Sequence, residues 1–140
     1  ILSTLLLTSC GKNNAAFELL TDGQCSSDQA VGVSAHISDQ IDAIANQDWQ
    51  RAYQYAAPSF QEAVSQSRFI EIIKNQYQMI IENQGFEFTS CKIADSKIYQ
   101  VLLLTAPDSD YELIYRIAFE NGRLGVEAAT AAPVKPAVQT

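Results

Sequence analysis

The chain has 140 residues, 47% of them hydrophobic and 18% charged, enough for one domain that buries about two-thirds of its unfolded surface. Its 16 acidic and 9 basic residues give a net charge of −7 with the basic ones scattered, which excludes the basic stripe needed by nucleic-acid binding or a polybasic grip on anionic lipid. One His and three Cys are too few ligands for ordinary zinc or iron sites, so neither a metal nor a cofactor is expected.

Ile1 to Cys10 reads ILSTLLLTSC, an uncharged apolar run too short to span a bilayer, which takes about 20 apolar residues. It resembles the end of a secretory signal, and Leu7-Thr8-Ser9-Cys10 resembles a bacterial lipobox. That resemblance implies a signal remnant over 1–9, cleavage before Cys10 and acylation of its sulfur, two or more chains being needed for a stable anchor. The partner is then a membrane on the extracytoplasmic side. Gly11 after the Cys agrees with an outer-membrane destination where the envelope has two membranes. No charged segment precedes the apolar run, so the chain is expected to start partway through a longer precursor.

With Cys10 lipidated, Cys25 and Cys91 remain as an even pair in an oxidising compartment and are expected to bridge. Closing so long a loop is worth about 4 kcal/mol in the loop-entropy model. Gln24-Cys25-Ser26-Ser27-Asp28 holds no base or cation to activate a thiol, which argues against a nucleophilic cysteine. The polar stretch 10–29 reads as the lipidated Cys and a flexible tether. The domain is expected over 30–130 and a disordered tail over 131–140, where Pro133 and Pro136 sit among alanines.

Within the domain, Val33, Ile37, Ile41 and Ile44 recur at helical spacing and predict a first amphipathic helix ending near Asn46-Gln47. Asp48 is placed to cap a short second helix carrying Trp49, Ala52, Tyr53 and Ala56, which Pro58 ends. Ser59 to Gln66 adds a further turn. Ser67 then caps a long helix over Arg68 to Asn83, stopped by Gly85, whose apolar arc of roughly 200° predicts packing on more than one side. From Phe86 the period changes to two, predicting four antiparallel strands over 86–94, 97–105, 110–120 and 123–129. Asn121-Gly122 is a type I′ turn signal. It sets Glu120 opposite Arg123, Phe119 opposite Leu124, Ile117 opposite Val126 and Arg116 opposite Glu127, with charges on one face and large apolar residues on the other. The expected fold class is α+β, with N-terminal helices packed on a four-stranded antiparallel sheet.

Asp48-Trp49-Gln50-Arg51-Ala52-Tyr53-Gln54-Tyr55-Ala56-Ala57-Pro58, then Arg68-Phe69-Ile70, Tyr77 and Gly122-Arg123-Leu124-Gly125-Val126, resembles an uncharacterised bacterial family built on a domain of unknown function. That family is similar to the nuclear-transport-factor-two-like superfamily. The likeness covers about residues 33–129 and departs at Leu124, where many superfamily members carry Trp. It implies a cone-shaped roll in which a curved sheet wraps a helix and encloses a pocket. Some members are enzymes, such as ketosteroid isomerase and scytalone dehydratase, and others bind ligands or mediate dimers, so the fold alone does not choose.

An acid–base enzyme in such a cone needs an inward carboxylate or His. The third strand offers Tyr111, Leu113, Tyr115, Ile117 and Phe119 on the face expected to look inward, and the fourth Leu124, Val126 and Ala128. His36 falls at the edge of its helix's apolar face, and Asp48 is explained by capping. Glu87 lies on the opposite face of its strand from Phe86 and Phe88, so one of the two faces water. Arg116 and Glu127 read as a solvated pair, and no catalytic residue is assigned. The tyrosines remain: Tyr53, Tyr77, Tyr111 and Tyr115, with Phe88, are either core residues with satisfied hydroxyls or the lining of a mostly apolar pocket. These residues predict a membrane-tethered, non-catalytic domain that binds a small apolar ligand or a protein, with a homodimer through the sheet as a further expectation. The alternatives are a small isomerase or dehydratase and an accessory or immunity-type lipoprotein acting through its surface.

Overall fold

The computed structural model describes residues 14–134; Cys10, the signal remnant and the end of the tail lie outside the described residues. Five helices, α1 (Ser27–Ala45), α2 (Trp49–Gln54), α3 (Pro58–Ala63), α4 (Gln66–Gln76) and α5 (Gln78–Ile81), are followed by a run of strands. These are β2 (Gly85–Ala94), β3 (Lys97–Thr105), β4 (Asp110–Glu120) and β5 (Arg123–Pro133), each hydrogen-bonded to the next. A two-residue strand, β1 (Gly23–Gln24), pairs antiparallel with β2, giving a five-stranded open sheet in the order β1-β2-β3-β4-β5. The fold is α+β, with five strands in place of the four expected. β1 is too short to carry a periodic signal.

α1 begins earlier than the sequence suggests. Ser26 and Gln29 form a reciprocal capping box, so residues 26–29 belong to the fold and not to a tether. Upstream, a 3₁₀ turn over Asn14–Phe17 places Phe17 in the core, 6% exposed and stacked on Phe119 at 5.7 Å. The Cys25–Cys91 disulfide is formed, with Cα atoms 5.4 Å apart, and fastens β1 to β2. At the other end β5 runs on to Pro133, opposite Tyr111, so the tail begins later than expected.

Val33, Ile37, Ile41 and Ile44 are all buried, and they make α1 the central helix against the sheet. It ends without glycine. Gln47 takes φ +54° while the Gln47 N–H donates to the Ile44 carbonyl and the Asp48 N–H to that of Ala43, the pattern of a Schellman stop. Asp48 then caps α2, as expected, through the Arg51 N–H.

The expected long helix is two. Ser65, not Ser67, caps α4, and the backbone leaves helical geometry at Tyr77 (φ −130°, ψ 34°), where neither Pro nor Gly stands. The Tyr77 hydroxyl donates to the Ala129 carbonyl of β5 at 2.5 Å, so a tertiary bond fixes the ring at the break. Only Phe69 and Ile73 of α4 and Ile80 of α5 are buried, which leaves the wide apolar arc of that segment half-covered.

The Asn121-Gly122 turn has φ of +53° and +73°, and Glu120, Phe119 and Ile117 face Arg123, Leu124 and Val126 as predicted. Beyond that point the register slips by one. A bulge between Arg116 and Ile117 sets Ala128, not Glu127, opposite Arg116 and puts Ala129 opposite Tyr115. Glu127 is the extra residue. A second bulge, at Thr89, separates Phe88, opposite Leu102, from Ser90, opposite Val101, and thereby keeps Cys91 on the face of Gln100. The inner face carries Ile98, Leu102, Leu104, Leu113, Tyr115 and Ile117, all buried against the helices.

Candidate functional site

Between the helices and the β4–β5 half of the sheet lies a cavity of about 210 Å³. Ile44 of α1, Phe69 and Ile73 of α4, Tyr77 and Ile80 supply its helical side, and Tyr115, Val126 and Ala129 its sheet side. The break in the predicted long helix puts Tyr77 at this wall, and the β5 bulge replaces Ala128 by Ala129 on the inner face beneath it. Gln40 adds an amide that donates to the Ala52 carbonyl at 3.2 Å.

Tyr115 is 2% exposed, and its hydroxyl has no hydrogen-bond partner among the described residues. Burial, with a smaller effect of the neighbouring Tyr77, pushes its phenol far above the ordinary value, so it is a neutral donor at physiological pH. Burial also raises the Tyr77 phenol, whose proton is committed to Ala129. A buried, unpaired hydroxyl costs roughly 1–3 kcal/mol, and such a cost points to a group held for another purpose.

Glu127 borders the cavity, but its carboxylate is held by Lys97 and, at 2.8 Å, by Arg116, which lie on the outer face by strand alternation. Its side chain is 12% exposed, so this is not the solvated pair the sequence suggests. Burial pushes the carboxyl up, and the hydrogen bonds from Lys97 and Arg116 outweigh that and hold it below the ordinary range. Such a carboxylate is a poor proton acceptor. Glu87 is exposed on the outer face opposite Leu103, which settles the direction its sequence left open.

Of the five aromatic residues read from sequence as candidate pocket lining, Tyr77 and Tyr115 meet at this cavity, and Tyr53, Tyr111 and Phe88 do not. Tyr53 donates to the Val64 carbonyl at 2.5 Å and packs on Phe69, so it ties α2 to the start of α4. Tyr111 turns to Asp108 at 2.5 Å across the β3–β4 turn. Phe88 lies by the disulfide, in a separate crevice with Cys25, Cys91 and Gln100. There Gln100, opposite Tyr115 in register, donates to the Ser90 and Val101 carbonyls at 2.9 Å, while its Oε1 is buried without a partner. An isolated Gln in an apolar strand was the available signal for it.

A wider groove of about 670 Å³ runs between α1 and the β4–β5 turn, lined by Phe17, Val31, His36, Tyr55, Arg123 and Leu124. His36 is buried to 7%, and its Nε2 lies 2.8 Å from the Tyr55 carbonyl, which accepts, so that nitrogen carries a proton. Among the described residues no group of three or more His, Cys, Asp or Glu could hold a metal ion, and no helix is long and apolar enough to cross a membrane.

No curated protein and no solved structure matches the chain. A family model described as "Domain of unknown function (DUF4864)" matches residues 26–131, from the Ser26 cap through the cavity to β5. On that match, which takes in well over half of its length, the chain belongs to the DUF4864 family.

Proposed function

We propose that this protein is a lipid-anchored extracytoplasmic binding domain whose ligand is a small, neutral, mostly apolar molecule bearing one hydrogen-bond acceptor. The observation that carries the reading is Tyr115, which lines an otherwise largely hydrocarbon cavity and whose buried hydroxyl has no hydrogen-bond partner among the described residues. A neutral phenol donates to a carbonyl or ether oxygen. It offers no charge to an anion, and Lys97 and Arg116, the partners of the bordering Glu127, are spent on that carboxylate. A cavity of about 210 Å³ suits a ligand of about ten non-hydrogen atoms.

A binding role without catalysis is supported by the placement of the acids. Glu87 faces outward and Glu127 is neutralised, which leaves the isomerase or dehydratase alternative without its base at this cavity. The Leu7-Thr8-Ser9-Cys10 sequence supports the anchor, and the Cys25–Cys91 bridge supports an oxidising compartment. Helices seated against an antiparallel sheet with a cavity between them support kinship with the nuclear-transport-factor-two-like cone. A second reading, pairing with another copy or a protein partner through the outer sheet face, is favoured by the exposure of Leu103 (40%) and Ile114 (37%) there.

Native mass spectrometry of the protein recovered from bacterial membranes tests the reading. The expected spectrum shows acyl chains on Cys10, two hydrogens fewer for the bridge and a neutral small molecule that Tyr115→Phe releases. A free Cys10 in protein recovered from cytosol contradicts it.

A further inference from the structure

The expected tether is largely consumed by the fold. Gln29 Nε2 donates to the Ala16 carbonyl at 2.8 Å, and the Phe17 ring lies so close to Gly32 that a Cβ there would come within 2.9 Å of it. The Asp95 N–H donates to the Asp22 carboxylate at 3.1 Å, and Cys25 is bonded to Cys91. From Phe17 onward the chain is therefore fastened to the body at successive points. At about 3.5 Å per residue, the segment from Cys10 to Phe17 reaches about 25 Å at most. A body of this size is roughly 35 Å across. A leash shorter than the body keeps the surface around Phe17 near the lipid.

The surface beside that attachment is apolar where it need not be. Leu19 is 76% exposed and Val31, next to Gly32 on α1, is 70% exposed, the two most exposed of the large hydrophobic residues described. Val31 and Phe17 also line the wide groove against α1. Glu18, Asp22 and Asp28 are exposed in the same stretch of chain, a charge pattern that disfavours anionic lipid and suits a zwitterionic surface.

We propose that the face carrying Leu19 and Val31, over the buried Phe17, is the membrane-contact face of the anchored protein, with Leu19 and Val31 seated in the interface of a zwitterionic bilayer. The inference rests on the anchor reading and goes beyond it, because a lipid on Cys10 by itself fixes no orientation. The outer sheet face then looks away from the lipid.

In chain produced without acylation, with Cys25 and Cys91 bridged, Cys10 is the one free thiol of the sequence, so a maleimide phospholipid can be coupled there in place of the natural acyl chains. The coupled chain is placed on phosphatidylcholine vesicles with brominated acyl chains, with Leu19→Trp, Val31→Trp or Leu103→Trp as reporter and Trp49 emission subtracted. The face predicts about two-fold quenching at positions 19 and 31 and none at 103. Equal quenching at all three, or none at 19 and 31, overturns it. The unsubstituted coupled chain gives a second reading: amide exchange across residues 17–20 and 28–32 slows on vesicles while that of β3 does not, and the reverse overturns the face. Failure of the anchor is read separately, from the mass of Cys10 in protein recovered from membranes.

Discussion

Gly125 of β5 lies so close to Ala57 that a Cβ built on the glycine would fall 2.3 Å from the Ala57 Cα. The approach is held by hydrogen bonds on either side, from the Ala57 N–H to the Val126 carbonyl and from the Val126 N–H to the Tyr55 carbonyl, both at 2.9 Å. The Tyr55-Ala56-Ala57-Pro58 segment thus crosses β5 backbone to backbone, and only small residues allow it. This crossing sets Val126 and the bulge that follows it at the cavity wall. Gly125→Ala is expected to destabilise by about 2–3 kcal/mol, because backbone must move. Gly122→Ala, with open space around it and a φ of +73°, is expected to cost about 1 kcal/mol. Urea denaturation of the two variants measures the difference.

The three inward tyrosines separate by what their hydroxyls do. Tyr53→Phe and Tyr77→Phe each orphan a carbonyl, of Val64 and Ala129 respectively, and are expected to lose about 1 kcal/mol. Tyr115→Phe removes an unpaired donor and is expected to be neutral or stabilising in the absence of ligand. Thermal denaturation in ligand-free buffer distinguishes the two patterns.

Much of this was legible from residue spacing. The α1 stripe, the Asn121-Gly122 register near the turn and the Cys25–Cys91 pairing all follow from periodicity, turn chemistry and parity. The cavity was legible only in part. Tyr115 falls on the inner face by simple alternation, whereas Tyr77 reaches the wall because a helix breaks without Pro or Gly, held by a bond to a residue far along the chain. The slip at Arg116–Ile117 was invisible for the same reason. A bulge adds one residue to one strand, and the run of small residues Ala128-Ala129-Thr130-Ala131-Ala132 in β5, with no alternation to break, does not register it.

Glu127 makes stability depend on acidity. Its carboxyl titrates below the ordinary 4.5 in the folded state, so its contribution is fully present above that value and is lost as pH falls through the lower folded-state value. Glu127→Gln is expected to cost about 1 kcal/mol at neutral pH and to flatten the acid limb of the stability profile. An unchanged acid limb in the variant would show that the charge cluster with Lys97 and Arg116 contributes nothing.

Removing the bridge, in Cys25→Ser/Cys91→Ser, is expected to lose about 2–4 kcal/mol. The loss is local in its first effect. The Cys25 N–H, bonded to the Cys91 carbonyl at 3.0 Å, should lose exchange protection before the amides of β3 and β4.

The neutral-ligand cavity is tested most directly by calorimetric titration of the wild type and Tyr115→Phe with 2-nonanone, nonane and nonanoate at pH 7. The ketone should bind the wild type at least about ten-fold more tightly than either of the others, and Tyr115→Phe should erase that preference while leaving alkane binding unchanged. Preferential binding of the carboxylate, or a ketone affinity that survives loss of the hydroxyl, contradicts the account.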